Sequence, residues 1–234
     1  MPRSRPPERL SEVIRAATLA FAEKGFQRTQ MADVARDLRM SAGALYNYAE
    51  SKEALFHWCI EAAVDPEVLA TSTLPLPGVD PAVTMERVRA HLDALVAHEG
   101  PLAAALSVRH PDDVVAELSA VIDELYDGTA GSRRLQAIIE RSAQEMPELF
   151  EAYYLRMRRP VIWALTAYLQ MRADDGYLRP LVDVPTTARL VLETQAWFAR
   201  HRRGDPDSAD IDDATGRATV IDVLTHGLLR RQYL

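Results

Sequence analysis

The sequence holds one cysteine, two lysines and ten glycines among 234 residues, and aromatic residues make up only 7% of it. A lone cysteine, Cys59, excludes an internal disulfide framework and suits a reducing cytoplasm. On a helix it reads as a small buried hydrophobe ahead of a redox sensor. The few glycines include no glycine-rich phosphate loop and no G-x-S-x-G turn. The six histidines form no H-E-x-x-H, H-x-x-E-H or Cys/His cluster, so neither a metal nor a cofactor is expected. Adjacent acids such as Asp112-Asp113, Asp174-Asp175 and Asp212-Asp213 fall at helix ends, where capping accounts for them. No catalytic residue stands out. No run of eighteen apolar residues occurs, which argues against a membrane span. The basic opening, MPRSRPPERL, has no apolar stretch behind it and does not read as a secretory signal. What remains is a chain that is 48% hydrophobic and 26% charged, the balance of a soluble cytoplasmic protein with apolar mass for one large or two modest cores.

Net charge is −7, which by itself argues against a nucleic-acid partner. Its distribution softens that. Residues 1–57 carry nine Lys/Arg against seven Asp/Glu, a local balance of +2, and the remainder carries eighteen against twenty-seven, a balance of −9. Both lysines, Lys24 and Lys52, lie in the first part. A basic head on an acidic body can still bind phosphate, because salt screens charge beyond roughly 8–10 Å.

Helical periodicity runs through most of the chain. In residues 8–24, Leu10, Val13, Ile14, Ala17 and Phe21 follow the i, i+3, i+4, i+7 rule, with Pro6 and Pro7 at the start and Gly25 at the C-cap. Thr29 offers an N-cap to a second helix marked by Met31, Val34, Ala35 and Leu38. Ser41 opens a short third helix through Tyr48, and Ser51 a fourth with Leu55, Trp58, Cys59 and Ala62 on its apolar face. Residues 64–81 hold four prolines and a glycine and read as a connection. Further helices are expected at 81–98, 101–108, 112–126, 133–145, 147–174, 185–202 and 213–230. A break is expected at Asp127–Ser132, a kink at Pro160, and a mobile acidic gap at 203–213. No strand-like alternation of useful length occurs. The expected fold is all-α: residues 1–60 form a three-helix helix-turn-helix head, and residues 61–234 form an antiparallel helical bundle.

The informative stretch is Thr29 to Leu55, TQMADVARDLRMSAGALYNYAESKEAL. It reads as two short helices joined by a tight turn, the second opening on Ser41-Ala42-Gly43-Ala44. A helix that enters a major groove needs small residues at its leading end, so that its backbone can approach base edges, and hydrogen-bond donors beside them. Ser41, Thr29, Tyr46, Asn47 and Lys52 supply such groups. Tyr48 shares a face with Leu45 and reads as core ahead of DNA contact. Arg3 and Arg5 read as a solubilising tail or as a basic arm for a minor groove.

This stretch resembles the signature of the TetR (tetracycline-repressor) family of transcriptional regulators. There a threonine opens the second helix, a Ser-x-Gly-x-Leu-Tyr-x-Tyr-Phe run forms the third, and Ser-Lys-Glu-x-Leu opens the fourth. Here these positions are Thr29, then Ser41, Gly43, Leu45, Tyr46 and Tyr48, then Ser51, Lys52, Glu53 and Leu55. The resemblance covers about residues 8–60. It implies that Thr29, Tyr46 and Lys52 hold phosphates, that Ala42, Ala44 and Asn47 lie nearest the bases, and that Gln30 is a further contact. Two positions depart from the pattern. Arg39 stands where the family's turn usually has glycine, at a position of possible positive φ, and it adds a cation there. Ala49 stands where the family has phenylalanine, leaving looser packing or a space for Phe56 or Trp58 to fill.

By the same resemblance, the C-terminal part is a helical domain with a dimer interface and a pocket for a small-molecule effector. The apolar helices 147–174 and 185–202 from two subunits would form a four-helix bundle, giving a homodimer that places two heads on a palindromic operator of double-stranded DNA. Candidate pocket walls are Tyr126, Phe150, Tyr154, Met157 and Trp197, and candidate polar anchors are His91, Arg109 and Gln195, with His110 beside them. The same aromatics suit ordinary core or interface equally well. The leading reading is a ligand-responsive repressor, with no membrane partner. The alternative is a DNA-binding regulator whose C-terminal domain only dimerises or binds a protein.

Overall fold

The structure is a computed structural model that describes residues 7–96 and 99–233. Arg3 and Arg5, read from the sequence as a solubilising tail or a basic arm, lie outside the described residues. The chain is all-helical. Along it run α1 (Pro7–Lys24), α2 (Met31–Asp37), α3 (Ala42–Leu45), α4 (Lys52–Val64), α5 (Pro81–Val96) and α6 (Pro101–Ser107). Then follow α7 (Val114–Gly131), α8 (Arg133–Ala143), α9 (Pro147–Phe150), α10 (Arg159–Asp174), α11 (Val184–Ala199) and α12 (Asp213–Leu228). Among the described residues there is no strand, only isolated bridges between Ala49 and Leu76 and between Leu178 and Leu229.

The helices start where polar caps allow. Ser41 accepts the Ala44 N–H and Ser51 that of Ala54, while Asp113, Asp183 and Asp212 cap α7, α11 and α12. Each cap satisfies a donor that the first turn leaves without a partner. α1 and α10 stop at Gly25 and Gly176, whose φ values of +83° and +82° suit glycine. Thr29 does not cap α2. Its hydroxyl donates back to the carbonyls of Ala20 and Gly25, and the N-cap is Gln30, with no side-chain hydrogen bond.

Other expected boundaries shift for reasons of packing. α7 runs through the expected break as far as Gly131. Buried Thr129 donates to the Leu125 carbonyl at 3.1 Å, and Arg217 pairs with Asp123 and Asp127 on the outer face. These contacts outweigh the poor helix propensity of Gly128 and Gly131. Pro160 produces a widened turn, not a sharp kink: residues Glu151–Arg158 form a π-helix between α9 and α10. Proline lacks an N–H and crowds the carbonyl four residues back, and the wider π turn relieves both problems. The acidic gap is folded. Buried Arg202 donates to the carbonyls of Phe198 and Ile211 and pairs with Asp213, around short 3-10 turns at His201–Gly204 and Pro206–Ser208.

The chain divides into two compact units: residues up to Asp93 with Arg134–Arg156, and Ala94–Arg133 with the residues from Met157 onward. The boundary expected near residue 60 falls inside the first unit, because α4 is tied to α5. His57 Nδ1 lies 3.0 Å from Thr84 Oγ1, and Arg87 pairs with Glu61 at 3.1 Å. The core of this unit includes Val13, Leu45, Leu55 and Ile60 and a cluster of the Phe21, Phe26 and Phe56 rings. Cys59 is buried among them, and burial pushes its thiol up to about 12. It is a packed hydrophobe, as its place on the helix suggests.

In the second unit α7, α10, α11 and α12 pack together, and α6 packs against α7 and α10. Leu118, Ile122, Leu165, Leu169, Val191 and Val220 fill the centre. Arg172 on α10 is fully buried there. It donates to both carboxylate oxygens of Glu117 at 2.7 Å and to the carbonyls of Ala105, Val108 and Arg109, while Tyr168 also donates to Glu117. One guanidinium thus reaches the carbonyls at and just beyond the end of α6, where helical partners run out.

Two predictions follow from the first unit. Arg39, in the turn between α2 and α3, sits at φ +54°, a left-handed conformation that disfavours any residue with a Cβ. Arg39→Gly should stabilise the chain by about 1 kcal/mol, read as a higher urea midpoint; an unchanged or lower midpoint would mean that the turn carries no strain. Secondly, burial lowers the pKa of both His57 and His91. Arg87 pushes both the same way, and Glu61 opposes it at His57. Both bind a proton less readily in the fold than in the unfolded chain, where they titrate near the ordinary 6.5. Near and below that pH the unfolded state takes up more protons than the folded one, so stability falls as the pH is lowered. Urea unfolding should show this loss between pH 7 and 5.5, and replacing both histidines with asparagine should flatten it.

Candidate nucleic-acid interface

The helix-turn-helix is built around one buried anchor and a row of exposed residues. Leu45 is fully buried and Tyr48 nearly so, while Ser41, Ala42, Gly43, Tyr46 and Asn47 are exposed and Ala44 half-buried. Tyr48 is therefore core, as its face suggests. α3 itself is one helical turn; Tyr46 to Tyr48 continue it as turns. Ser41 Oγ accepts the Ala44 N–H at 3.1 Å, and Asn47 Nδ2 donates to the Ala44 carbonyl at 3.2 Å. Tyr46 closes the turn and is 49% exposed. Gln30 and Arg39 are exposed on either side of α2.

Gly43 is informative. A methyl group built there meets nothing within 4 Å, and the backbone needs no left-handed conformation. Nothing inside the protein requires a glycine at this position. The bare backbone leaves room for something outside to come close.

Two residues singled out in the sequence have internal partners. Thr29 is buried, with its hydroxyl on the carbonyls of Ala20 and Gly25. Lys52 Nζ donates to the carbonyls of Phe26 and Gln27 at 3.0 and 3.3 Å and lies 4.5 Å from the centre of the Phe26 ring. Both therefore hold the α1–α2 turn in shape.

Sequence reasoning missed two sets of residues that hold this head. The first comes from α8 and the turn after it. Ser142 Oγ accepts the Phe26 N–H, the Glu145 carboxylate accepts the Gln27 N–H at 3.2 Å and pairs with Arg28 at 2.8 Å, and Arg141 donates to the Glu23 carbonyl. Gly25 is closely covered: a Cβ there would lie 2.9 Å from Glu145 Oε2. The second set lies in the proline-rich connection. Leu76, not Phe56 or Trp58, lies beside Ala49, paired with it in a parallel bridge. Phe56 is taken up by the phenylalanine cluster, and Trp58 Nε1 donates to the Pro77 carbonyl at 3.2 Å. The only trace of this in the sequence is an apolar residue flanked by two prolines.

The candidate ligand residues are spread over both units. In the first, His91 is half-buried on α5, with Nε2 enclosed and without a partner. Phe150 is 45% exposed and its ring lies 5.0 Å from that of the half-buried Tyr154. In the second, Arg109 and His110 are exposed, Arg109 paired with Asp175 at 2.9 Å, and Trp197 is 37% exposed. Met157 and Tyr126 are buried, the Tyr126 hydroxyl 3.5 Å from the Phe198 carbonyl. Gln195, on α11, is 1% exposed, and its Oε1 has no hydrogen-bond partner.

Comparison with known proteins agrees with this geometry. Residues 13–59 match the sequence profile of bacterial regulatory proteins of the tetR family, a span that runs from the middle of α1 into α4. The chain is 38% identical over 193 residues, 79% of its own length and 75% of the relative's, to the uncharacterized HTH-type transcriptional regulator YfiR of Bacillus subtilis (strain 168). The ketosteroid transcriptional regulator KstR2 of Mycobacterium tuberculosis shares the fold, with a TM-score of 0.53 at 16% identity over 95% of this chain and 96% of that one. No helix among the described residues is long and apolar enough to cross a membrane. A one-turn recognition helix held on a helical head, the matched profile and a relative aligned over most of both chains lead to one conclusion: this chain belongs to the tetR family of bacterial regulatory proteins and is a helix-turn-helix transcriptional regulator, not an enzyme.

Proposed function

We propose that this regulator is a homodimeric, cytoplasmic repressor that leaves its operator when a small molecule binds its C-terminal helices. On the DNA side, Ala42, Gly43 and Ala44 form the edge that approaches the bases, with Asn47 and Gln30 as the nearest polar readers. Tyr46, Ser41 and Arg39 face the backbone. Lys52 uses two of its three N–H donors on the α1–α2 turn and keeps the third for a phosphate. Thr29 contributes by shaping the turn.

The single observation that favours an effector is Gln195. A buried carbonyl oxygen without a partner costs roughly 1–3 kcal/mol, and it is tolerated where a bound group supplies the missing donor. The Tyr126 hydroxyl reaches the Phe198 carbonyl, one turn along α11 from Gln195, so an aromatic wall and a polar anchor lie near one another on α7 and α11. An effector with a hydroxyl, amide N–H or ammonium group fits this anchor. Trp163, Leu190 and Trp197, 64%, 56% and 37% exposed on α10 and α11, are the residues a second copy would cover. The effector would then favour a form whose two heads no longer match major grooves about 34–36 Å apart, a coupling of about 1–3 kcal/mol.

Anisotropy titration against the chain's own upstream DNA, at two salt concentrations, tests the operator reading. Binding should weaken steeply with salt and be lost in Tyr46→Ala. Gly43→Ala should melt no lower than the wild type yet bind DNA at least tenfold more weakly; wild-type affinity in that variant would remove Gly43 from the interface. For the effector site, Gln195→Leu should raise stability by about 1–3 kcal/mol by removing the unpaired oxygen. A loss of stability instead would show that the oxygen is satisfied and carries no ligand.

A further inference from the structure

The connection between α4 and α5 does more than join them. Its middle, Leu74-Pro75-Leu76-Pro77-Gly78, lies along the end of the recognition helix. The Leu76 N–H donates to the Tyr48 carbonyl at 2.7 Å, and the Glu50 N–H donates to the Leu76 carbonyl at 3.1 Å. The Gly78 N–H donates to the Glu50 carboxylate at 2.8 Å, and Trp58 Nε1 holds the Pro77 carbonyl. Leu76 and Ala49 are both fully buried. These hydrogen bonds, from backbone and side chain alike, converge on five residues of connection, and one apolar side chain is buried in the head beside the small Ala49.

We infer that this segment is a strap that positions the recognition helix, with Leu76 as its positioning residue. The physical reason lies in α3. One turn of helix has no stability of its own, because helix nucleation is unfavourable until several hydrogen bonds share its cost. Its leading end is held by the Ser41 cap and its middle by Leu45. Its trailing end, Tyr46 to Glu50, is held by the strap, and the small Ala49 leaves the room that Leu76 fills. The strap continues directly into α5, whose first turn follows Pro81. Displacement of α5 would therefore reach the recognition helix through Leu76, without passing along α4.

The DNA arm of the test rests on α3 being the DNA-facing helix, and the exchange arm does not. The full chain is compared as wild type, Leu76→Ala, and the volume swap Leu76→Ala with Ala49→Leu. Hydrogen exchange should be at least tenfold faster at the Leu45–Tyr48 amides of Leu76→Ala while the α1 amides keep their rates, and the swap should restore protection. Binding to a duplex selected by the wild type from a random pool should fall at least tenfold, with binding to poly(dI-dC) changed less than twofold. Unchanged exchange at Leu45–Tyr48 overturns the strap, as does equal acceleration in α1, which would mean that Leu76 only supports the head as a whole. Failure of the wild type to select any duplex would overturn the DNA reading, while exchange still decides the strap. Should Leu76→Ala not fold, Trp58→Phe, which removes the bond to Pro77 and trims the ring beside His57, decides instead: a two- to fivefold rise in exchange at the same amides supports the strap, and none overturns it.

Discussion

A recognition helix of one turn is the constraint on which the rest of this head depends. Ala42–Leu45 is too short to persist as a helix alone, so its geometry is imposed from outside. The Ser41 hydroxyl fixes its start, Leu45 its depth in the core, and the bridge between Ala49 and Leu76 its exit. Small residues on the outer edge are affordable only because anchoring is delegated in this way. A longer helix with its own apolar face would hold itself.

The α1–α2 turn is held by the same logic of delegation. Lys52 binds its carbonyls from one helix, and Ser142 and Glu145 bind its N–H groups from another. Gly25 makes this possible twice over: its positive φ ends α1, and its missing Cβ lets Glu145 approach. Glu145 also pairs with Arg28, so one of the head's nine cations serves to seat the turn. The α2–α3 turn, by contrast, keeps an arginine in a strained conformation and leaves it exposed.

The second unit shows how a buried charge can organise helices. Arg172 sits among apolar side chains, a position that would be costly if any of its donors lacked a partner. Glu117 and the carbonyls of Ala105, Val108 and Arg109 supply partners, and α6 is thereby tied to α7 and α10. Gln195 is the opposite case in the same unit, a buried oxygen left unpaired. Polar groups that are satisfied, like those of Arg172, specify structure.

The helices were legible in the sequence because their signals are local. Ser41, Ser51, Gly25 and Gly176 act within a few residues of where they stand, and the periodicity of Leu10 to Phe21 needs no partner to be read. The spacing of Ser41, Gly43, Leu45, Tyr46 and Lys52 was enough to indicate a helix-turn-helix and its family. The positive φ at Arg39 was legible for the same reason. Everything decided by residues distant in the chain was not. Leu76 beside Ala49, Glu145 on the Gln27 N–H, Lys52 turned onto the Phe26 carbonyl, and α7 persisting through Gly128 all depend on partners brought together only by folding. Local hydrogen bonding and periodicity determine which segments are helical and what the motif is. Tertiary packing decides how the trailing end of a one-turn helix is held still, because Leu76, which closes it, lies about 28 residues along the chain from Tyr48.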